Sequence, residues 1–198
     1  MTRPALSALL LCAALAAGCA GPAAPGTSPR AAAAPGPALL RLPPASLQRE
    51  LRLQQHITVE YAKHGRTERH ELLALLEADA ARTRLAAVAG GQVLARLDWD
   101  GSELKAVRSP WAPAELQPER ILSDLQLSLW PAAAIREALP GGWSLDDTPA
   151  LRRLRQDHET VAEVRFPDAA TTVFTQYRDG YRLTIRTLPS ASTQGGDA

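Results

Sequence analysis

Four histidines are the side chains best suited by type to metal or acid–base chemistry: His56, His64, His70 and His158. His64 and His70 flank the segment GRTER, which we interpret as a turn with two glutamates close by. A zinc site needs three or four ligands that converge from rigid elements, and the rest of the chain supplies no matching pair. We therefore predict no metal site and no cofactor, and we interpret His64 and His70 as exposed turn residues.

The segment QDHET places Asp157, His158 and Glu159 side by side. Neighbouring residues on a strand point to opposite faces, so these three cannot form a proton relay, and we interpret the segment as a solvated turn. The chain also lacks a G-x-S-x-G nucleophile elbow and a glycine-rich phosphate loop. We predict that the protein is not an enzyme.

Cys19 is the one residue whose surroundings indicate a covalent modification. An n-region with Arg3 and an apolar run of roughly 13 residues, too short to span a membrane, lead into Ala16, Ala17, Gly18 and Cys19. This is a bacterial lipobox, with Ala16 where leucine is most common. We predict cleavage before Cys19 and its acylation; an ordinary secretory peptide with a chance cysteine is the alternative. Ala20 follows where an inner-membrane retention signal would place aspartate, which favours the outer membrane.

Processing sets the organisation of the chain. We predict a signal peptide at 1–18, a lipidated cysteine and flexible Pro/Ala-rich tether at 19–38, one domain at 39–189 and a disordered tail at 190–198. Removing the signal leaves 21 of the 22 basic residues against 21 acidic ones. A chain without net charge has no electrostatic reason to bind nucleic acid, so we expect membrane attachment through the acyl chains of Cys19.

The folded part is predicted to be mainly strand. LRLQQHITVEY alternates with Leu51, Leu53, Ile57, Val59 and Tyr61 on one face, as a half-buried strand does. In the segment from Gly90 to Val107, Val93, Ala95, Leu97 and Trp99 alternate up to the turn pair Asp100-Gly101, and Asp179-Gly180 separates two more alternating runs. The arginine-rich run RRLRQ is interpreted as a solvated edge. Seven or eight strands joined by short turns predict an antiparallel meander.

Residues 116–143 carry the only substantial helical pattern. Pro118 can occupy the first turn of a helix, and Pro131 should end it and begin a second short helix that stops at Pro140. Apolar residues cover more than one side of the first helix, so another layer must cover it.

We predict a mainly β fold with added helices (α+β), in which one curved antiparallel sheet forms an unclosed half-barrel and the short helices form its lid. The space between these layers is either a packed core or a cavity for a lipid chain, and the residues leave both open. Leu125, Leu129, Trp130 and Ile135 are placed on the lid surface that faces the sheet. The candidates for the cavity or lid are Trp99, Ile121, Leu122, Leu125, Leu129, Trp130, Ile135 and Trp143.

Residues 94–145 resemble a family of uncharacterised Gram-negative lipoproteins, described as a domain of unknown function. The resemblance is carried by the turn Asp98 to Gly101, Pro118-Glu119-x-Ile121-Leu122, Asp124-Leu125-Gln126-Leu127, Trp130-Pro131, Leu139-Pro140 and Gly142-Trp143, with GYRLTIRTL as a closing strand. Genes of this family often lie in aryl polyene biosynthesis clusters. The family is distantly similar to LolA and LolB, which carry lipoproteins in an unclosed, helix-lidded β-barrel.

The resemblance implies a periplasm-facing outer-membrane lipoprotein that binds and transfers or inserts a lipid-like cargo, such as an aryl polyene lipid or lipoprotein acyl chains. A LolA-like periplasmic carrier is an implied partner. LolB has a protruding loop with an apolar tip; the counterpart here, AVAGGQV, shows no large exposed hydrophobe, which favours a specialised cargo. The alternative is a structural lipoprotein that docks on a biosynthetic or envelope assembly without a ligand cavity. A lipid hydrolase or transferase is disfavoured because no nucleophile with a base is visible.

Overall fold

The computed structural model describes residues 39–110, 112 and 117–189. The predicted signal peptide, Cys19, the tether at 19–38 and the tail at 190–198 lie outside the described residues, as does Trp111. The strands are β1 Leu51–Lys63, β2 Arg66–Ala78, β3 Thr83–Ala89, β4 Gln92–Trp99, β5 Leu104–Arg108, β6 Trp143–Thr148, β7 Leu151–Gln156, β8 Glu159–Arg165, β9 Thr171–Gln176 and β10 Tyr181–Thr187. The helices are α1 Pro118–Leu129 and α2 Ala132–Ala138, and a short 3-10 turn, Pro44–Leu47, precedes β1.

All of these strands belong to one antiparallel sheet with the order β5-β4-β3-β2-β1-β10-β9-β8-β7-β6. β1 lies in the middle, paired with β2 on one side and with β10 on the other. Within the described part of the chain, β5 and β6 are edges that do not pair with each other, so the sheet is open. The prediction of a mainly β fold with one open antiparallel sheet and short helices is confirmed.

β1 and β2 form a hairpin that is longer than the sequence pattern predicts. Lys63 pairs with Arg66, and the two residues between them, His64 and Gly65, both have positive φ (51° and 74°), as a type I′ turn requires. The turn is therefore two residues long, and placing His70 in it was wrong: His70 lies on β2 and pairs with Val59.

A β-bulge in β4 changes which side chains point inward. Ala87 pairs with Ala95 but Val88 pairs with Val93, so Leu94 is an extra residue on β4. Ala95, Leu97 and Trp99 are buried as predicted, whereas Val93 is 38% exposed. The single alternation predicted from Val93 to Trp99 was therefore wrong at its first member. The turn at AVAGGQV also exposes one hydrophobic side chain, Val93, contrary to expectation.

The arginine-rich run that we interpreted as a solvated edge is β7, which pairs with β6 and β8. Leu154 is buried, and the arginines beside it are half-buried. Arg153 contacts Glu163 at 2.8 Å from Nε to Oε2, and Arg155 contacts Asp146 at 3.7 Å from Nη1 to Oδ2. Long arginine stems can cover a sheet while their charged ends find partners, which hides the alternation of a strand.

The predicted helices are confirmed. Pro118 is the first residue of α1, and α1 ends at Leu129, ahead of Pro131. α2 follows directly and ends before Pro140. No helix in the part of the chain that the structure describes is long and apolar enough to cross a membrane.

The sheet curls around α1, as two sets of hydrogen bonds show. On one side, Gln126 of α1 donates from Nε2 to the carbonyl of Leu42 (2.9 Å), which also accepts from Trp99 Nε1 of β4 (2.8 Å). On the other side, Arg152 of β7 donates from Nη1 to the carbonyls of Leu127 (3.1 Å) and Trp130 (2.6 Å). In the sheet order β4 and β7 are seven steps apart, about 34 Å in a flat sheet at roughly 4.8 Å per strand. α1 is thus linked to strands on both sides of the sheet, to β4 through Leu42 and to β7 through Arg152, which indicates that the sheet curves around it.

Candidate functional site

A cavity of about 660 Å³ lies between α1 and the inner face of the sheet. Its wall is formed by β1, β2, β3, β9 and β10, with Leu94 of the β4 bulge at one margin. The volume falls in the range of about 300–1,000 Å³ that small-molecule pockets occupy. The space between sheet and helix is therefore partly packed and partly hollow.

The inner surface of the cavity is mostly apolar. On α1, Ile121, Leu125 and Leu129 follow one another at a spacing of four residues, so they share one face of the helix. The sheet contributes aliphatic and aromatic side chains from five strands: Ile57, Val59, Leu72, Ala74, Leu85, Ala87, Ala89, Phe174, Leu183 and Ile185. On β1 these residues alternate, as predicted, because one face of the strand points toward the helix.

The cavity reaches solvent at one end of the sheet. Lys63 and His70 from the β1–β2 hairpin, Gln117 before α1, and Asp179 from the β9–β10 turn all line the cavity and are exposed. These polar residues mark its mouth, and the aliphatic side chains extend from there along β1 and β10. The cavity thus has a polar mouth and a mostly apolar interior.

Three of the eight predicted cavity or lid residues line this cavity: Ile121, Leu125 and Leu129. They lie on the face of α1 that points toward the sheet.

The other five do not line the cavity. Trp130 and Ile135 are fully buried in the hydrophobic core, and Leu122 is fully buried outside the lining of the cavity. Trp99 is 2% exposed, and its ring nitrogen is bound to the carbonyl of Leu42. Trp143 is half-buried, and Cζ of the Arg178 guanidinium lies over its ring, 5.6 Å from the ring centroid. None of the four tryptophans is among the lining residues that the structure describes, whereas the aromatic rings of Phe174 and Tyr181 line the cavity together with aliphatic side chains.

Sequence reasoning missed the polar group inside the cavity. Asp124 of α1 lines it and is only 8% exposed. The hydroxyl of Tyr181 on β10 donates a hydrogen bond to the Asp124 carboxyl. Arg120, one turn earlier on α1, forms an ion pair with Asp179 at 2.9 Å from Nη2 to Oδ2. The sequence did contain a signal for this site, namely an acidic residue within the apolar face of a predicted helix. Such a residue is buried together with its apolar neighbours and therefore needs a polar partner.

Burial changes the titration of this pair. Burial raises the pKa of Asp124 to about 7, although the hydrogen bond from Tyr181 and the charge of Arg120 act in the opposite direction. Burial and the neighbouring Asp124 carboxyl also raise the pKa of the Tyr181 hydroxyl. A carboxyl with a pKa near 7 in a cleft is a recognised sign of a functional site.

The four histidines lie on β1, in the β1–β2 turn, on β2 and in the β7–β8 turn. His70 Nε2 contacts the hydroxyl of Tyr61 (3.1 Å), and the two rings stack with centroids 5.6 Å apart. His56 Nε2 lies 3.6 Å from Oε2 of Glu71, and His158 lies in the β7–β8 turn. Residues 39–110, 112 and 117–189 contain no group of three or more histidine, cysteine or acidic side chains placed to hold a metal ion.

These features define a class of protein: a mainly β domain in which an open antiparallel sheet and a helix enclose an apolar cavity with one buried carboxyl. The chain belongs to the DUF3261 family, described as a protein of unknown function, whose profile matches residues 52–189. No curated protein matches the chain.

Among solved structures, a DUF1329 family protein from Desulfovibrio piger ATCC 29098, in a crystal structure at 1.75 Å resolution, is similar with a TM-score of 0.31 and 9% sequence identity. The similarity covers 78% of this chain and 90% of that protein.

Proposed function

We propose that this protein binds a lipid-like cargo in the cavity beneath α1 and transfers it to, or inserts it into, the outer membrane. The observation that carries the proposal is the apolar cavity of about 660 Å³ between α1 and the inner face of the sheet. Cargo would move between hydrophobic environments without covalent chemistry and without a cofactor. The curved sheet with α1 as its lid would then work as a half-barrel of the LolA and LolB kind.

The dimensions of the cavity suit an extended hydrocarbon chain. Its lining follows β1 from Gln55 to Lys63, a distance of about 26 Å at roughly 3.3 Å per residue. One leaflet of a bilayer, half of a hydrocarbon core of about 30 Å, is about 15 Å deep. A chain that normally spans one leaflet therefore fits along the strand.

Transfer into this cavity is favoured by the hydrophobic effect. Each 100 Å² of apolar cargo surface removed from water contributes about 2.5 kcal/mol, at roughly 25 cal/mol per Å². The lining residues of α1 and β1 provide this cover on opposite sides of the space. A bound chain would be shielded while the polar mouth stays in water.

Attachment to the outer membrane through acylated Cys19 is part of the proposal. The predicted tether at 19–38 would reach roughly 25 Å as a coil and about 60 Å if fully extended. Under the proposal, either length would let the domain reorient between the membrane and a soluble periplasmic carrier. Acyl chains of lipoproteins and aryl polyene lipids are the cargo classes that the family resemblance favours.

The test is the recovery of bound lipid. The mature chain with Cys19→Ser, purified from a native host and studied by native mass spectrometry and organic extraction, should carry a lipid-like molecule. Leu125→Trp, which fills the cavity, should lower the recovered amount, whereas Val107→Trp on the exposed surface of β5 should not.

Repeated recovery of empty protein from producing cells would contradict the proposal. It would favour the docking lipoprotein instead, a role that leaves the cavity without a ligand.

A further inference from the structure

Asp124 is the feature of the cavity that a purely apolar cargo does not explain. Its side chain lies on the cavity face of α1, between Ile121 and Ser128, and is 8% exposed. A hydrocarbon chain would bury this carboxyl further without offering it a hydrogen bond, which is unfavourable. A cargo with a polar end that meets Asp124 would remove this cost.

The partners of Asp124 leave acceptor capacity for a ligand. Among the described residues, Tyr181 supplies the side-chain hydrogen bond to this carboxyl, whereas a carboxylate has about four acceptor positions. Arg120, the nearest cation on α1, is held by Asp179. The carboxyl of Asp124 is thus positioned by Tyr181, and none of the ion pairs among the residues that the structure describes includes it.

The charges around the cavity favour a cation over an anion. The lining contains three carboxyl groups, those of Glu71, Asp124 and Asp179, against the permanent cations Lys63 and Arg120. Lys63 and Glu71 are exposed at the mouth, where water screens them, whereas the attraction of a buried charge is stronger in its low-dielectric surroundings. A ligand near α1 therefore meets an excess of negative charge.

We propose that Asp124, positioned by Tyr181, binds the polar end of the cargo, and that this end is a protonated amine rather than a carboxylate or phosphate. The proposal rests on the proposed function, since it requires an alkyl chain in the cavity. The ammonium group would donate charge-assisted hydrogen bonds to the carboxylate, and the chain would extend along Leu125 and Leu129 toward the interior. Asp124 then acts as a selectivity residue for the head group.

The test compares ligands of equal chain length and different head groups. In the assay, the neutral fluorophore N-phenyl-1-naphthylamine is bound to the mature Cys19→Ser protein at pH 8. Its displacement is measured with dodecylamine, dodecanol and dodecanoate, each below its micellar concentration. An alkyl amine, like lysine with a pKa of about 10.4, is protonated at this pH. Dodecylamine should bind at least about 10-fold more tightly than dodecanoate, equivalent to about 1.4 kcal/mol.

Asp124→Asn should reduce this ratio to less than about 3-fold, about 0.7 kcal/mol, because the amide carries no charge. The matched control is Asp146→Asn, which removes an equal charge from β6 outside the cavity and should keep the preference.

Dodecanoate binding as tightly as dodecylamine to the unsubstituted site would overturn the inference while leaving lipid binding intact. An amine preference that survives Asp124→Asn would also overturn it. Failure of the fluorophore and of all three ligands to bind would contradict the proposed function itself.

Discussion

The side-chain amide of Gln126 bonds both the amide nitrogen and the carbonyl of Leu42. The amide nitrogen of Leu42 donates to Gln126 Oε1 at 2.9 Å, and Gln126 Nε2 donates to the carbonyl of Leu42 at 2.9 Å. Gln126 is fully buried, and Leu40, two residues earlier, donates from its amide to Ser123 Oγ at 3.0 Å. The segment before β1 is thus bound along α1 as a neighbouring strand would be, and it fixes the back of the helix opposite the cavity.

Replacing Gln126 with leucine should therefore destabilise the domain. The carbonyl of Leu42 keeps its bond from Trp99, but its amide nitrogen loses its partner in a buried position, which costs about 1–3 kcal/mol. Urea unfolding followed by tryptophan fluorescence measures the free energy of unfolding. Gln92→Leu, at an exposed position of β4, is the control and should change it by less than about 0.5 kcal/mol. An equally small change for Gln126→Leu would refute this role of the amide.

The stability of the domain should depend on pH through Asp124. Its pKa rises from 3.8 to about 7 on folding because of burial, so the folded state binds more protons than the unfolded state between these values. The contribution of this group to the free energy of unfolding is therefore complete below pH 3.8. It decreases by up to about 1.4 kcal/mol per pH unit as the pH rises from there, and it is lost once the pH has passed through about 7. The groups that face Asp124 are Tyr181, Arg120 and Asp179.

Asp124→Asn isolates this effect, because other titrating groups cancel when the two proteins are compared. The substituted protein should gain stability relative to the unsubstituted one between pH 5 and pH 8, as measured by urea unfolding at each pH. A difference between the two proteins that stays constant over this range would show that Asp124 does not titrate there.

A charge on the lid should prevent ligand binding. Leu129 lines the cavity at the last turn of α1 and is half-buried, so Leu129→Asp places a carboxylate against the apolar chain. We expect affinity for N-phenyl-1-naphthylamine to fall at least about 10-fold, about 1.4 kcal/mol, while circular dichroism shows the β-sheet intact. Leu39→Asp, exposed outside the cavity, should bind as before. Unchanged binding by a folded Leu129→Asp protein would mean that α1 is not a lid over the ligand.

Cys19→Ser should abolish acylation. Cells that express the full chain with this substitution should incorporate no labelled palmitate into the protein, and the protein should leave the outer-membrane fraction for the periplasm or inner membrane. Cys12→Ser, inside the predicted signal peptide, is the matched control and should be acylated normally. Palmitate labelling that persists in Cys19→Ser would exclude the lipobox.

Local features of the fold could be predicted from residue patterns. The alternation in β1 predicted both the strand and its inward face, since side chains on a strand have a fixed period of two. Pro118 and Pro131 predicted the ends of α1, because proline lacks the amide hydrogen that a helix interior needs. Each of these signals acts within a few residues of where it is read.

The bulge at Leu94 and strand β7 could not be predicted in the same way. The bulge depends on pairing with β3, and the arginines of β7 hide its alternation because their partners, such as Glu163 of β8, lie on another strand.

The polar site in the cavity could be recognised only in the tertiary structure, because its residues also come from different elements. Asp124 and Tyr181 are 57 residues apart in sequence, and only the curling of the sheet around α1 brings them together. The sequence pattern also gave Ile121, Trp130 and Ile135 the same prediction, as cavity or lid residues. In the structure Ile121 lines the cavity, whereas Trp130 and Ile135 lie in the hydrophobic core. Whether an apolar side chain packs against another or against empty space depends on the volumes that all elements enclose together, and no single segment carries that information.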